Sequence, residues 1–127
     1  MPFISSKIVQ VHYAIVDIET TGGYAAANGI IEIAIQVFDG QEVVETFETL
    51  VNPGQNIPRY IQAFTGIDND MVAGAPYFEE IAEKVFTLLQ SNIFVAHNVN
   101  FDHSFIKNHL QAYGYTFNGK KLWTVRL

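Results

Sequence analysis

A chain of 127 residues that is 49% hydrophobic holds enough apolar material for one core and one domain. Its net charge of −6 argues against a broadly basic surface that grips nucleic acid by counterion release, but leaves room for a local site where metal ions bridge acids to phosphate. Without any cysteine there is no disulfide framework and no thiolate zinc site, and neither the opening Met1-Pro2-Phe3-Ile4-Ser5-Ser6-Lys7 nor any later stretch has the apolar length of a signal peptide core or a membrane span. A soluble, cytoplasmic protein without membrane contact is expected.

Taken in chain order, the run Tyr13-Ala14-Ile15-Val16 predicts a first, buried strand with Asp17-Ile18-Glu19-Thr20-Thr21-Gly22 at its end. A Gly- and Ala-rich loop then leads into residues 30–38, whose β-branched density predicts a second, mostly buried strand. Asp39-Gly40 is a turn signal, and the alternation over residues 43–51 predicts an outer strand that closes a hairpin. Asn52-Pro53-Gly54 ends that strand, Pro58 opens a short helix over residues 59–64, and Thr65-Gly66 closes it. In the connecting segment that follows, Asp68-Asn69-Asp70 lacks the twelve-residue calcium pattern and reads as a helix-capping turn.

From Pro76, the residues Phe78, Ile81, Ala82, Val85, Leu88 and Leu89 recur at three- and four-residue spacing, with Glu79, Glu80 and Glu83 in the first turns, where the helix dipole favours anions. Ile93-Phe94-Val95-Ala96 fits a central strand. Residues 100–113 read as a second amphipathic helix with Asn100 as its cap, Phe101, Phe105, Ile106 and Leu110 inward, His103 and His109 on the exposed side, and Gly114 as the stop. Leu122-Trp123-Thr124-Val125 would begin another strand. The order β-β-β-α-α-β-α-β, with crossover helices only in its second half, predicts an α/β architecture built on a mixed sheet flanked by helices.

Asp17 and Glu19 carry the chemistry. Two residues apart on a strand, they project from one face about 7 Å apart, and at an effective dielectric near 20 they repel by roughly 2 to 3 kcal/mol. A divalent cation offsets such repulsion, because Mg²⁺ and Mn²⁺ prefer hard oxygen ligands and take only one or two carboxylates from the protein; a strand end that has reached solvent explains the pair equally well. A second acid, Asp102, lies in Ala96-His97-Asn98-Val99-Asn100-Phe101-Asp102 at the junction of the fourth strand with its helix, where open α/β sheets place ligands. By itself it fits a dipole-favoured acid in a first helical turn.

Together, Asp-Ile-Glu-Thr-Thr-Gly and the later His-Asn-x-x-Phe-Asp resemble the first two motifs of the DEDD exonuclease superfamily. The intervening Asn52-Pro53-Gly54, Ile57-Pro58, Phe64-Thr65-Gly66-Ile67, Met71-Val72 and Ala75-Pro76 look like its DnaQ-type branch, which includes the proofreading subunit of bacterial DNA polymerase III. The resemblance covers residues 12–126 and implies a partial exonuclease domain over residues 12–127 behind an N-terminal extension, residues 1–11. It implies a ribonuclease H-like fold lacking its C-terminal helices, and removal of nucleotides from nucleic-acid 3′ ends, DNA before RNA, with two Mg²⁺ or Mn²⁺ ions. In that scheme Asp17 binds or bridges both ions, Glu19 binds the ion on the nucleophile side and Asp102 supports the second. Thr20, Thr21 and Gly22 would bring backbone close to the terminal nucleotide, where Gly22 admits it sterically, or form an ordinary loop. His97 and Asn98 would touch substrate or satisfy nearby backbone, and Phe101 would support the terminal base or simply fill the core.

The family pattern also needs a third motif, a fourth Asp preceded by a His or Tyr that activates water, and no Asp or Glu follows Asp102 in these 127 residues. The expectation is therefore little or no activity from this chain alone. A polymerase, helicase or second nuclease domain in the parent protein, and a homodimer through an apolar flank, are further expectations. Two other functions stay open: a non-catalytic ribonuclease H-like scaffold that binds nucleic acid or a partner, and a hydrolase of some other phosphate ester.

Overall fold

The computed structural model describes residues 11–123. The first strand, β1 (Tyr13–Thr20), runs through the acidic motif instead of stopping before it. Ala14, Val16, Ile18 and Thr20 point into the core, so Asp17 and Glu19 fall on the opposite face by strand alternation. β2 (Ile30–Phe38) pairs antiparallel with β1 and sets Val16 against Ile35 and Ile18 against Ile33. Beside Glu19 the register skips a residue: Glu19 faces Glu32 and Thr20 faces Ile30. This bulge lets Ile30 join the main core while Ile31 enters a second, smaller cluster with Ile57, Ile67 and Val72.

β3 (Val43–Leu50) completes the expected hairpin as an edge strand. Its turn is held by Asp39, whose carboxylate accepts the backbone N–H groups of Gln41 at 2.8 Å and Glu42 at 2.9 Å, and by Gly40, whose φ of 102° suits glycine. The short helix α1 (Arg59–Thr65) ends at Gly66 in the left-handed conformation, and the segment after it contains a further short helix, α2 (Asn69–Ala73). Asp68 caps α2 by accepting the Met71 N–H at 2.9 Å, so the capping reading of Asp68-Asn69-Asp70 holds. α3 (Phe78–Leu89) buries the six apolar residues that its periodicity selects, and the Glu80 carboxylate reaches back to the Tyr77 N–H at 2.8 Å.

β4 (Ile93–Ala96) lies parallel to β1, α4 (Val99–Ala112) follows it, and β5 (Lys121–Trp123) pairs parallel to β4. The result is a five-stranded mixed sheet of order β3-β2-β1-β4-β5, as the element order implies. The expected continuation of the last strand through Thr124 and Val125, and residues 1–10 of the N-terminal extension, lie outside the described residues. One expectation is overturned: His103 and His109 are not on the exposed side of α4. His103 is 7% exposed, donates its Nε2–H to the Gly119 carbonyl at 3.1 Å and packs edge-on against Phe94, while His109 stacks on Phe105. Burial holds both imidazoles below their usual pKa. A neutral ring can occupy an aromatic cluster, and the Phe-rich surroundings draw both rings inward.

The main core depends on β2 residues with no exposure, so Ile33→Ala should lower unfolding free energy by about 2–5 kcal/mol, read as a fall in urea midpoint at unchanged m-value. Val44→Thr on the exposed edge strand should change it by less than ~0.5 kcal/mol.

Candidate active site

β4 pairs with β1 only from Tyr13 to Ile15. Beyond that point β1 continues for five residues with its β4-side flank open, and α4 begins just three residues after β4 ends. Asp102, in the first turn of α4, is thereby carried onto the open flank within reach of the Asp17 charge, while its backbone N–H donates to the Asn98 carbonyl at 3.0 Å. It is 7% exposed. Burial first, and the charge of Asp17 second, push its pKa up to about 6, with Glu19 adding to the rise. Glu19 is raised by burial, by Asp17 and by Glu32. The structure thus places Glu19 and Asp102, two of the three acids singled out in the sequence, within reach of the negative charge of the third, Asp17.

It also adds a carboxylate that the sequence reading passed over. Glu32 sits directly across from Glu19, and its pKa is raised by burial, by Glu48 and by Asp17. The signal was available: Glu32 is the only acid in the otherwise apolar and neutral strand Ile30–Phe38. Among the described residues no three His, Asp or Glu side chains converge into a ready-made cage for one ion. The donor set nonetheless fits Mg²⁺ or Mn²⁺, since all its atoms are hard oxygens, one member is buried at a cost that a cation would offset, and such ions take few protein carboxylates and complete their shells with water and phosphate.

The remaining residues divide. Thr21 is 1% exposed and is a hydrogen-bond hub: its hydroxyl accepts the Gly29 N–H at 3.0 Å and meets the side chains of Asn28 and Gln55. Thr20 donates to the Gly22 carbonyl at 2.8 Å. Gly22 has a packing reason, because a Cβ there would stand 2.6 Å from the Asn28 side chain. These three residues therefore build a fixed turn directly after Glu19. His97 and Asn98 are exposed at the end of β4; Asn98, not Asn100, is the cap position of α4, and its side chain makes no capping bond. Phe101 is half-buried, packs on the core, and lies 5.4 Å from the Phe105 ring. His12 stands five residues ahead of Asp17, the His-to-Asp spacing of the missing third motif, but ~16 Å of extended strand separates the two, and His12 lies instead near Asp39.

A model of the RNase_T exonuclease family matches residues 14–126. The chain belongs to this exonuclease family. Curated relatives include the 3′-5′ exonuclease DinG of Staphylococcus haemolyticus, 40% identical over 110 residues, and that of Staphylococcus aureus strain MRSA252, 37% identical over 110 residues. In both cases the match takes in 87% of this chain but only 12% of the relative, so the domain spans about an eighth of the proteins it resembles. Among solved structures, exonuclease X in complex with 5′ overhanging duplex DNA superposes with a TM-score of 0.68 at 27% identity, over 87% of this chain and 58% of that one. Exonuclease I without ligand superposes with a TM-score of 0.79 at 17% identity, over 90% of this chain and 29% of that one, a likeness of fold. The sheet and its helices are the ribonuclease H-like fold of these exonucleases, and the family as a whole depends on divalent metal ions.

The exonuclease domain keeps Asp102 at an energetic disadvantage, and the sign of its pH dependence follows. With a folded pKa near 6, above the unfolded value of 3.8, this group favours the folded state fully below pH 3.8, and that contribution is lost as pH rises through 6. Asp102→Asn should therefore raise the thermal midpoint at pH 8 in the presence of a chelator, and the gain should shrink toward zero as pH falls to 4, as scanning calorimetry across pH will show.

Proposed function

We propose that this domain hydrolyses phosphodiester bonds at nucleic-acid 3′ ends and releases nucleoside monophosphates, with Asp17, Glu19 and Asp102 as its metal-binding and catalytic acids. The observation that carries the reading is the burial of Asp102, in the first turn of α4, within reach of the charges of Asp17 and Glu19 on β1. Bound Mg²⁺ or Mn²⁺ would make hydroxide available near neutral pH and stabilise the attacking and leaving oxygens of an in-line displacement at phosphorus. Asp17 and Glu19 would hold the ions from β1 and Asp102 from α4, two rigid elements that need no rearrangement to present them.

The fixed Thr20-Thr21-Gly22 turn presents backbone next to Glu19. His97 and Asn98, exposed and without side-chain hydrogen bonds to other described residues, can engage substrate at the end of β4. Phe101 supports the terminal base from the half-buried position it occupies. DNA is favoured over RNA as substrate because exonuclease X and exonuclease I have been captured with DNA. The relatives, in which this region is a small part, support a role as the nuclease module of a larger protein that carries a helicase, polymerase or second nuclease domain. No helix among the described residues is long and apolar enough to cross a membrane, and a chain without cysteine suits the reducing cytoplasm.

The 127-residue chain supplies three of the family's four acids, and we expect it to release mononucleotides from 3′-labelled single-stranded DNA slowly or not at all with Mg²⁺ or Mn²⁺. A chain continued through a following His-x-x-x-x-Asp motif should be active and should lose at least ~10²-fold on Asp17→Ala. A folded, continued domain that is inert on every DNA and RNA end, or one indifferent to Asp17→Ala, would overturn the reading.

Ion binding is separable from cutting. Mn²⁺ at 100 times its dissociation constant should stabilise the 127-residue chain by about 2.7 kcal/mol, seen as a rise in thermal midpoint that Asp17→Asn removes. A non-catalytic scaffold predicts no such rise.

A further inference from the structure

A cleft of about 380 Å³ opens between the loop that follows the Thr20-Thr21-Gly22 turn, the segment after β3, the start of α3 and the end of α4. Its size falls within the range of roughly 300–1,000 Å³ typical of small-molecule sites. None of the described residues lining it is an Asp, Glu, Lys or Arg, in a chain where 16% of residues are charged. Polar chemistry comes instead from carboxamides: Asn28, Asn52, Gln55 and Asn108. Apolar area comes from aromatic rings, of which Tyr77 and Tyr113 are 53% and 44% exposed. His109 belongs to the same lining, and its buried Nε2 has no hydrogen-bond partner among the described residues.

We propose that this cleft is a second binding site, separate from the acids, for a neutral planar heterocycle of the nucleobase type. Exposed tyrosine rings offer stacking surfaces that accept any base face, and Asn108, whose amide makes no hydrogen bond to other described residues, carries the paired donor and acceptor that match a base edge, while Asn28, Asn52 and Gln55 each use their oxygen and one NH₂ hydrogen within the chain. The absence of cations leaves no place for a phosphate inside, so sugar and phosphate stay in solvent. Two of the lining amides, Asn28 and Gln55, also hold the Thr21 hydroxyl, so a bound base abuts the turn that follows Glu19. The base can come from a free nucleoside or from a strand whose end lies at the acids.

The test is independent of catalysis. The full 127-residue chain, with chelator present, is titrated with adenosine and thymidine and, separately, with an eight-residue oligothymidylate, while the amide and side-chain resonances of Asn28, Asn108 and His109 are followed by NMR. Saturable shifts with the nucleosides, at a dissociation constant on the order of 0.1–1 mM, support the site and identify a free nucleoside as sufficient. Shifts of the same resonances with the oligonucleotide alone support it and identify a base within a strand. Asn108→Leu and Tyr113→Ala, at solvent-exposed positions, should weaken either response at least ~10-fold without lowering the thermal midpoint, and Asp17→Asn should leave it unchanged. No shift with any of these ligands, or shifts confined to residues 97–102, would overturn the proposal while leaving the exonuclease reading intact.

Discussion

The burial of Asp102 within reach of the Asp17 charge ties the two halves of the site into one. It is possible because β4 stops pairing with β1 at Ile15, which leaves that flank of β1 without a strand partner. A helix starting almost at once after β4 then delivers an acid to that edge. Sheet register, the short β4-to-α4 connection and the placement of Asp102 are thus one geometric fact. Were β4 two residues longer, the Ile18 flank would be taken by backbone and Asp102 would be carried away from Asp17.

The acids sit where the fold would otherwise choose apolar or neutral side chains. Glu19, Glu32 and Asp102 are all raised in pKa by burial and by the charge of Asp17, which is a local instability. The main core offsets it. Behind the acidic face, Val16, Ile18, Ile33 and Ile35 alternate inward from β1 and β2 and meet α3 and α4. Sites that break local rules in this way are where function concentrates, and the exonuclease family's general dependence on divalent metal ions supports the proposal that a cation offsets this repulsion.

Much of this was legible in the residues. Alternation in 30–38 and 43–51, the helical spacing of Phe78 to Leu89, and the turn at Asp39-Gly40 each have a single geometric solution. The two acidic motifs, weak alone, gained meaning as a pair. Less legible was anything decided by packing between distant segments. His103 and His109 read as surface residues because imidazole is polar, yet each meets a ring from elsewhere in the chain: Phe94 and Phe117 in one case, Phe78 in the other. Glu32 stood out as the lone acid of its strand, but that it faces Glu19 follows only from the bulged register between β1 and β2. The reason for Gly22 was also nonlocal, since the contact that requires it comes from Asn28.

The tightest test of the central claim, that Asp17, Glu19 and Asp102 act as one electrostatic unit, is the carboxyl titration of Asp102 by carbon-detected NMR in metal-free buffer. It should titrate near pH 6, shift down in Asp17→Asn, and fall further in the native chain on addition of Mg²⁺. A midpoint near the ordinary value of 3.8, indifferent to both Asp17→Asn and Mg²⁺, would contradict it.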